Sequence, residues 1–555
     1  MKKDRNNLLI ILLVSIVVMI PLIFGPSSLG HDTVFHVANI DSLKLGLDSS
    51  FLPSKISKTI GNGFGYGTHL FYPMLPHLIT AYLAKATSIF HINTLSTTVI
   101  MYGIITFLSS VVMYYLSKKI TKKNSLALLS SIIFLFMPYR LGDIVVRSAY
   151  NESFTFLFMP LVLLGLLYLI ENNKRKFYFC FITGCVGLLY SHLVITMYFA
   201  ILLIPFVIIY HKEIFKRENF ISLTIACITI ILLSLPELLP MLEHKLSTEY
   251  MVYVKNYMTN IDYMNTFNNS LIHYVKILPD YSWDIPLYIN YIVIIMLLAR
   301  LFFFIKNKKK EKIEIFLWIF TLLAFFISLD FFPWKIVPEF LYFIQFPWRM
   351  ETMLAISISL LAPLIIQNIN KKKLQKQILI AVLILIPCTE LFLIKKLTND
   401  VYRIGEIIPN NGMGHSKEYL PKKAFDNEVY FEYRGNDIML ISGNAQIMVI
   451  ENSDKKIEFE LTTDSIETTL EFPRLYYLGY HLKTKDGKVL ALEESENGFL
   501  QARIEGNGTY TLVYEGTTLN KVANVLGMIG LGGFGYLIFT TKPEQKKNRR
   551  EKKSQ

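Results

Sequence analysis

The feature that most limits this chain is a recurrence of apolar runs about 17–22 residues long, punctuated by short links rich in Lys and Arg. A run of that length crosses a hydrocarbon core of roughly 30 Å. In that core every backbone polar group must be paired within its own segment, so the runs are helices. The spans fall at about 8–25, 97–116, 125–139, 153–170, 177–191, 193–210, 220–240, 286–305, 313–331, 350–368, 377–396 and 522–540. The expected fold class is therefore a polytopic α-helical membrane protein with about 12 transmembrane helices. The first run also has the character of a signal peptide, but no small-residue cleavage site follows it, so it reads as a retained anchor.

The formal charge of +13 on 555 residues invites a nucleic-acid reading, and the placement of the charge argues against it. More than half of the 56 Lys and Arg sit in KKDR (Lys2–Arg5), KKITKK (Lys118–Lys123), NKRK (Asn173–Lys176), KEIFKR (Lys212–Arg217), KNKKKEK (Lys306–Lys312), KKKLQK (Lys371–Lys376) and the tail. Positive residues beside spans stay cytoplasmic, which puts both termini inside and makes the charge a topology signal. The four cysteines, Cys180, Cys185, Cys227 and Cys388, lie in apolar spans and offer no disulfide framework or CxxC site.

One apolar segment does not fit as a span. FYPMLPHLITAYLAKATSIF (Phe71–Phe90) would put KKITKK outside if it crossed, and it carries Pro73, Pro76, His77 and Lys85. It is expected to lie along the outer surface or to re-enter partway. The outer face then collects a long first loop (26–96) with GHDTVFH (Gly30–His36) and GNGFGYG (Gly61–Gly67). It also takes PYRLGDIVVRSAYNESF (Pro138–Phe154), a turn with YSH (Tyr190–His192), a tyrosine-rich loop (243–285) and PWKIVPEFLYFIQFPWRME (Pro333–Glu351). Trp283, Trp334 and Trp348 fall near outer span ends, as an aromatic belt would place them.

From about Thr398 to Asn520 charges alternate with Val, Ile, Leu and Tyr, as in KIEFELTT (Lys456–Thr463) and TYTLVYEG (Thr509–Gly516). That period of two reads as half-buried strands, and Asp486-Gly487 as a hairpin turn. The division follows: 1–397 a multi-spanning domain, 398–520 an extracytoplasmic β-sandwich, and 521–555 a final helix with a basic cytoplasmic tail.

Polar residues that could do chemistry gather outside. Asp32 and His36 are four apart and share a helical face, which suits metal binding or proton transfer; Asp32 equally suits a helix cap. His31 adds a further polar group. Arg140, Asp143, Arg147 and Glu152 form either a solvated loop or a phosphate or metal-diphosphate site. His192 sits at a tight turn. Arg349 either snorkels or clamps a lipid phosphate. GNGFGYG lacks a following Lys-Ser/Thr, which removes nucleotide binding and leaves a flexible loop near a ligand. Zincin and serine-hydrolase motifs are absent. The spans carry no string of charges that would suit a pump, Glu237 and Glu390 being the main exceptions.

GHDTVFH after the first span, then FYPMLPH, YSH and IQFPWRM, resemble the bacterial integral-membrane family labelled "6-pyruvoyl-tetrahydropterin synthase-related". FPRLYYLGYHLKTKDGK and ENGFLQARIEGNGTYTLVYEG before a last span resemble the end of YfhO-like membrane proteins. The label does not carry a pterin activity, since a pterin synthase is a soluble enzyme with a three-histidine zinc site. Both families look like members of the GT-C glycosyltransferase superfamily. That resemblance implies transfer of a sugar from a polyprenyl-phosphate donor to a cell-envelope glycan or lipid acceptor on the outer face of the cytoplasmic membrane. It also implies that Asp32 is the first-loop acid, that Glu152 or Asp143 is the second-loop acid, and that Arg349 and Arg147 meet the donor phosphate. His31, His36 and His192 would be supporting polar groups. No soluble cofactor is implied, and a divalent metal stays open because the chain lacks a tight acidic pair in loop two and any WWDYG-like motif. The alternatives are a lipid-linked saccharide transporter and a non-catalytic membrane scaffold.

Overall fold

The computed structural model describes residues 2–24, 30–48, 50–255, 257, 269–275, 287–400, 411–414, 416–453 and 455–541. Trp283, most of the tyrosine-rich loop and the basic tail lie outside the described residues.

Each of the twelve expected apolar stretches contains helix among the described residues, though not over its whole length. We label the helices α1 (Lys2–Phe24), α2 (Thr33–Gly46), α3 (Leu75–Thr87), α4 (Thr94–Thr121), α5 (Asn124–Leu135), α6 (Pro138–Arg147), α7 (Tyr150–Ile170), α8 (Lys174–Leu189), α9 (Leu193–Ile209) and α10 (Arg217–Ser247). After these come α11 (Tyr291–Lys306), α12 (Lys312–Ser328), α13 (Pro347–Asn368), α14 (Lys372–Asp400) and α15 (Thr518–Thr540). Among the described residues, seven helices are long and apolar enough to cross a membrane: α1, α4, α7, α10, α13, α14 and α15. The stretch expected at 125–139 is instead two helices, α5 and α6, bent by 48°. Pro138 opens α6 at its first position, where a missing N–H costs nothing, while its ring prevents α5 from continuing. The remaining four stretches fall on α8, α9, α11 and α12, which are shorter.

Local chemistry sets several of these ends. Asn93 caps α4 by accepting from Ser96 N–H at 2.8 Å, and Thr517 caps α15 by accepting from Asn520 N–H at 3.0 Å. Lys122 closes α4 in the left-handed region at φ 56°. Close helix contacts are made at glycines, as expected where lipid gives no hydrophobic drive to associate. A Cβ on Gly165 of α7 would fall 2.7 Å from the Phe181 nitrogen of α8, and one on Gly527 of α15 would fall 2.5 Å from the Pro236 ring of α10. Leu9, Leu13 and Ile16 of α1 and Ile295, Leu298 and Phe302 of α11 are exposed, as lipid-facing side chains would be.

The segment 71–90 supplies α3, which lies against α2 and α4 and is not among the membrane-length helices. Trp334, expected in an aromatic belt, is instead buried against Phe332 and Tyr342.

Nine strands follow among the described residues: β1 (Met439–Ser442), β2 (Ala445–Asn452), β3 (Lys456–Thr463), β4 (Thr468–Leu475), β5 (Tyr480–Thr484), β6 (Val489–Leu490), β7 (Glu493–Glu494), β8 (Phe499–Ile504) and β9 (Gly508–Tyr514). They form two antiparallel sheets, ordered β1-β4-β8-β7 and β2-β3-β9-β5-β6. Phe459 of one sheet meets Phe472 of the other at 5.7 Å between ring centroids, inside a shared apolar core. The Asp486-Gly487 turn joins β5 to β6, with Gly487 at φ +83°.

GNGFGYG is not a flexible loop. Gly61, Gly63 and Gly65 all take positive φ, a region open to glycine without strain. The turn they make sends Phe64 and Tyr66 into the β-region core. The Phe64 carbonyl then accepts from Leu475 N–H at 3.1 Å, tying the first loop to β4.

Candidate functional site

The residues singled out in the first loop, the second loop and IQFPWRM meet at one end of the helices, on the side of the β-region. The meeting begins with main chain. His31 N–H donates to Val146 O at 3.1 Å, and Asp32 N–H donates to Arg147 O at 2.9 Å. Gly30 makes this approach possible, because a Cβ there would stand 2.7 Å from the Val146 carbonyl. The receiving turn, Asp143–Arg147, is π-helical and ends at Ser148 with φ 54°. Such wide turns are uncommon and re-aim the side chains they carry. Thr33 Oγ1 donates to Ser148 Oγ at 2.8 Å and holds the junction.

Asp32 occupies the N-cap position of α2, yet its side chain makes no capping hydrogen bond. The cap reading therefore does not account for this carboxylate, which is half-buried. His36, one turn on, points away from it. His36 Nε2 lies 3.3 Å from Tyr150 N–H and His36 Nδ1 lies 2.8 Å from His77 Nε2. A backbone amide can only donate, so the His36 proton sits on Nδ1 and is given to His77, whose own proton then sits on Nδ1. Burial holds the His36 imidazole neutral with its pKa down at about 3, and the Arg147 charge adds to the effect. His36 thus fastens α2 to α3 and α7. Among the described residues no group of three or more His, Cys, Asp or Glu side chains is arranged to hold a metal ion.

Behind Asp32 lies a buried charged cluster. Arg147 Nη1 donates to Asp143 Oδ1 at 2.7 Å, Tyr139 OH at 3.0 Å and Glu152 Oε2 at 3.1 Å. Tyr139 OH donates to Glu152 Oε1 at 2.7 Å. Arg349 arrives from the start of α13, its Nε 3.8 Å from Glu152 Oε2. Arg349 Nη1 donates to Ile344 O at 2.8 Å and to Gln345 Oε1 at 3.2 Å, and the guanidinium lies over the Phe346 ring. Its Nε, although buried, makes no hydrogen bond among the described residues. Arg140 does not join this cluster. It is fully buried between Phe134 and Phe156 and donates to Ser109 Oγ at 2.9 Å, a packing role.

His192 caps α9, accepting from Ile195 N–H, and its ring meets Tyr72 edge-on at 6.4 Å. Tyr72 is the junction that the sequence reading missed. Its ring also meets Phe35 (5.8 Å), His77 (6.1 Å) and Tyr419 (6.4 Å). Burial raises its hydroxyl pKa, Asp32, Glu152 and Glu418 push it further up, and Arg349 opposes them. Tyr72 therefore stands within the fields of all four. Glu418 is a second residue missed, because it lies in a stretch without periodicity ahead of β1. The only available signal for Tyr72 was its place in FYPMLPH.

Residues 7–253 match a family of unknown function (DUF6541). An uncharacterized protein of Lactococcus lactis subsp. cremoris is 26% identical over 561 aligned positions, covering 89% of this chain and 88% of its own length. The family match takes in Asp32, Asp143, Arg147, Glu152 and His192 and stops before Arg349 and Glu418.

Proposed function

We propose that this chain is a membrane glycosyltransferase of GT-C type, moving a sugar from a polyprenyl-phosphate donor to an envelope acceptor at the outer membrane surface. The reading includes twelve spans, cytoplasmic termini, an extracytoplasmic β-sandwich and kinship with YfhO-like proteins. The observation that carries it is the state of Arg349. Its Nη1 is anchored by Ile344 O and Gln345, and its Nε is buried beside Glu152 with no hydrogen bond among the described residues. That leaves a planar donor edge suited to a phosphate. Further support comes from Arg147, whose carbonyl accepts from Asp32 N–H and whose guanidinium shares Glu152 with Arg349.

In this mechanism Asp32 accepts the proton of an acceptor hydroxyl as its oxygen attacks the anomeric carbon. The bond from that carbon to the phosphate oxygen breaks with inversion, and the lipid phosphate leaves with the electron pair. Arg349 stabilises the charge that builds on it. Glu152 and Asp143 act as positioning residues through Arg147. The sugar–phosphate bond supplies the driving force, so no nucleotide is consumed.

The test compares cell-surface glycans of a deletion strain with strains complemented by wild type or Asp32→Asn. Transfer predicts that wild type restores a glycan that Asp32→Asn does not, at equal membrane abundance. Identical glycans in all strains would overturn it. A scaffold predicts that Asp32→Asn complements fully, and a transporter predicts loss of export with transfer intact.

A further inference from the structure

Helix α3 is built inside out. Its buried face carries His77 and Thr80, and its opposite face presents Ile79, Ala86 and, just past its end, Ile89 and Phe90. The polar side is engaged within the protein: His77 Nε2 accepts from His36, and Thr80 Oγ1 shares a hydrogen bond with Tyr150 OH. A short helix that turns its polar groups inward and its apolar ones outward has the pattern of an element that meets lipid.

The turn after α2 adds to the same face. Tyr82 OH donates to Phe51 O, and the two rings lie 5.4 Å apart. Lys85 Nζ donates to Leu47 O at 2.7 Å and pairs with Asp48 at 3.0 Å. Phe51 and Leu52 are thereby pinned beside α3 while staying 78% and 60% exposed, and Ile89 and Phe90 are 77% and 76% exposed. Lys85 and Asp48, the charges set among them, neutralise each other.

Position in the fold names what covers this patch. Ile89 and Phe90 come just before Asn93, the cap of the membrane-length helix α4. Thr87 Oγ1 hydrogen-bonds Thr97 Oγ1 at 2.8 Å, and Thr94 Oγ1 donates to Asp41 of α2. Both α2 and α3 are therefore held at the first turn of α4. Along α4 the next exposed large apolar side chains are Ile100, Ile104 and Leu108, one stripe at a spacing of four. Ile100 lies about 10 Å further along the axis than Asn93. The patch thus continues a lipid-facing stripe at the level where α4 enters the bilayer.

We propose that Phe51, Leu52, Ile89 and Phe90 form an interfacial seat, sunk into the leaflet on the β-region side at the boundary between headgroups and acyl chains. α3 then lies in the membrane surface without crossing it, and its inner face fastens α2 to the same seat. The seat does not depend on sugar transfer.

The test uses the full-length protein in phosphatidylcholine–phosphatidylglycerol nanodiscs. Benzoyl-phenylalanine is placed at Phe51 or Phe90, irradiated, and the adducts are identified by mass spectrometry. Phospholipid adducts are expected at both positions, within a few-fold of the yield at Ile295 on α11 and several-fold above that at Ile466 on the β3–β4 link. A second measurement gives depth. In Phe90→Trp, the added emission should be quenched several-fold more by lipids brominated near the headgroup than by lipids brominated near the chain end. Thermal melting reports that each variant is folded. Three results would overturn the proposal: yields at 51 and 90 no higher than at 466 while 295 is labelled, crosslinks to a second copy or another protein in place of lipid, or stronger quenching from the chain end.

Discussion

The amide of Asp32 and the carbonyl of Arg147 are joined at 2.9 Å, so the first-loop acid is held by its backbone and makes no side-chain cap on α2. A substitution that keeps the backbone keeps the placement. Asp32→Asn is expected to change unfolding free energy by less than about 0.5 kcal/mol, as surface-type substitutions do, while abolishing glycan transfer. Thermal melting of the purified variant beside the glycan comparison checks both halves.

The two arginines should behave oppositely. Arg147 is the one partner shared by Asp143 and Glu152, which are buried at 0% and 2% exposure. Arg147→Met takes from Asp143 its ion-pair partner and leaves Glu152 with Tyr139 and Arg349, and it is expected to destabilise by about 3–5 kcal/mol, the usual cost of removing one side of a buried pair. Arg349→Lys keeps a cation near Glu152 but loses the planar fork. It should melt close to wild type and lose most transfer. Melting and glycan analysis of the two variants separate support from chemistry.

Gly30 offers a steric test of the junction. A Cβ there would lie 2.3 Å from Ser148 Oγ and 2.7 Å from Val146 O. Gly30→Ala should lower the melting temperature and loosen the first loop, seen as faster amide exchange at His31 and Asp32. Adding Ser148→Ala removes the hydroxyl clash and leaves the Val146 carbonyl and the residue-148 Cβ at 2.9 Å, so rescue should be incomplete.

The buried imidazoles set a pH dependence. Burial disfavours the charged ring and brings the folded pKa of His36 and of His69 down to about 3 from the usual 6.5. Below 6.5 the unfolded chain binds protons that the folded chain does not. Their stabilisation is thus complete above 6.5 and is lost progressively as pH falls towards 3. Each contributes a slope of up to about 1.4 kcal/mol per pH unit. His69→Phe, which keeps an aromatic ring against His77, should flatten the fall in melting temperature between about pH 6.5 and 5.

Apolar runs and strand alternation are local signals, and they were read well: KIEFELTT became β3 and the Asp-Gly pair became its expected hairpin turn. Whether a run reaches membrane length is less local. Pro138 bent one expected span, and four runs folded as helices of 16 or 17 residues, below membrane-spanning length. The grouping of Asp32 with Arg147, Glu152 and Arg349 was legible because charged residues beside spans are costly and so conspicuous. Glu237 was conspicuous for the same reason, and its partner proved to be Lys55 of the first loop at 3.0 Å. Tyr72 and Glu418 were not legible. A tyrosine among many and a glutamate in an aperiodic link look ordinary until distant segments are brought together. Arg140 misled in the other direction, because sequence does not tell an arginine packed between phenylalanines from one facing a ligand.

The junction of Asp32 with Arg147 has a consequence for biogenesis. Asp32 is made well before Arg349 and Glu418, which lie hundreds of residues further along the chain, so these segments meet only later. A chain made only as far as the first loop holds Asp32 without the Arg147 carbonyl that fixes its amide. The charged cluster around Asp32 is therefore assembled only after the segments that carry Arg147 and Arg349 have both been made.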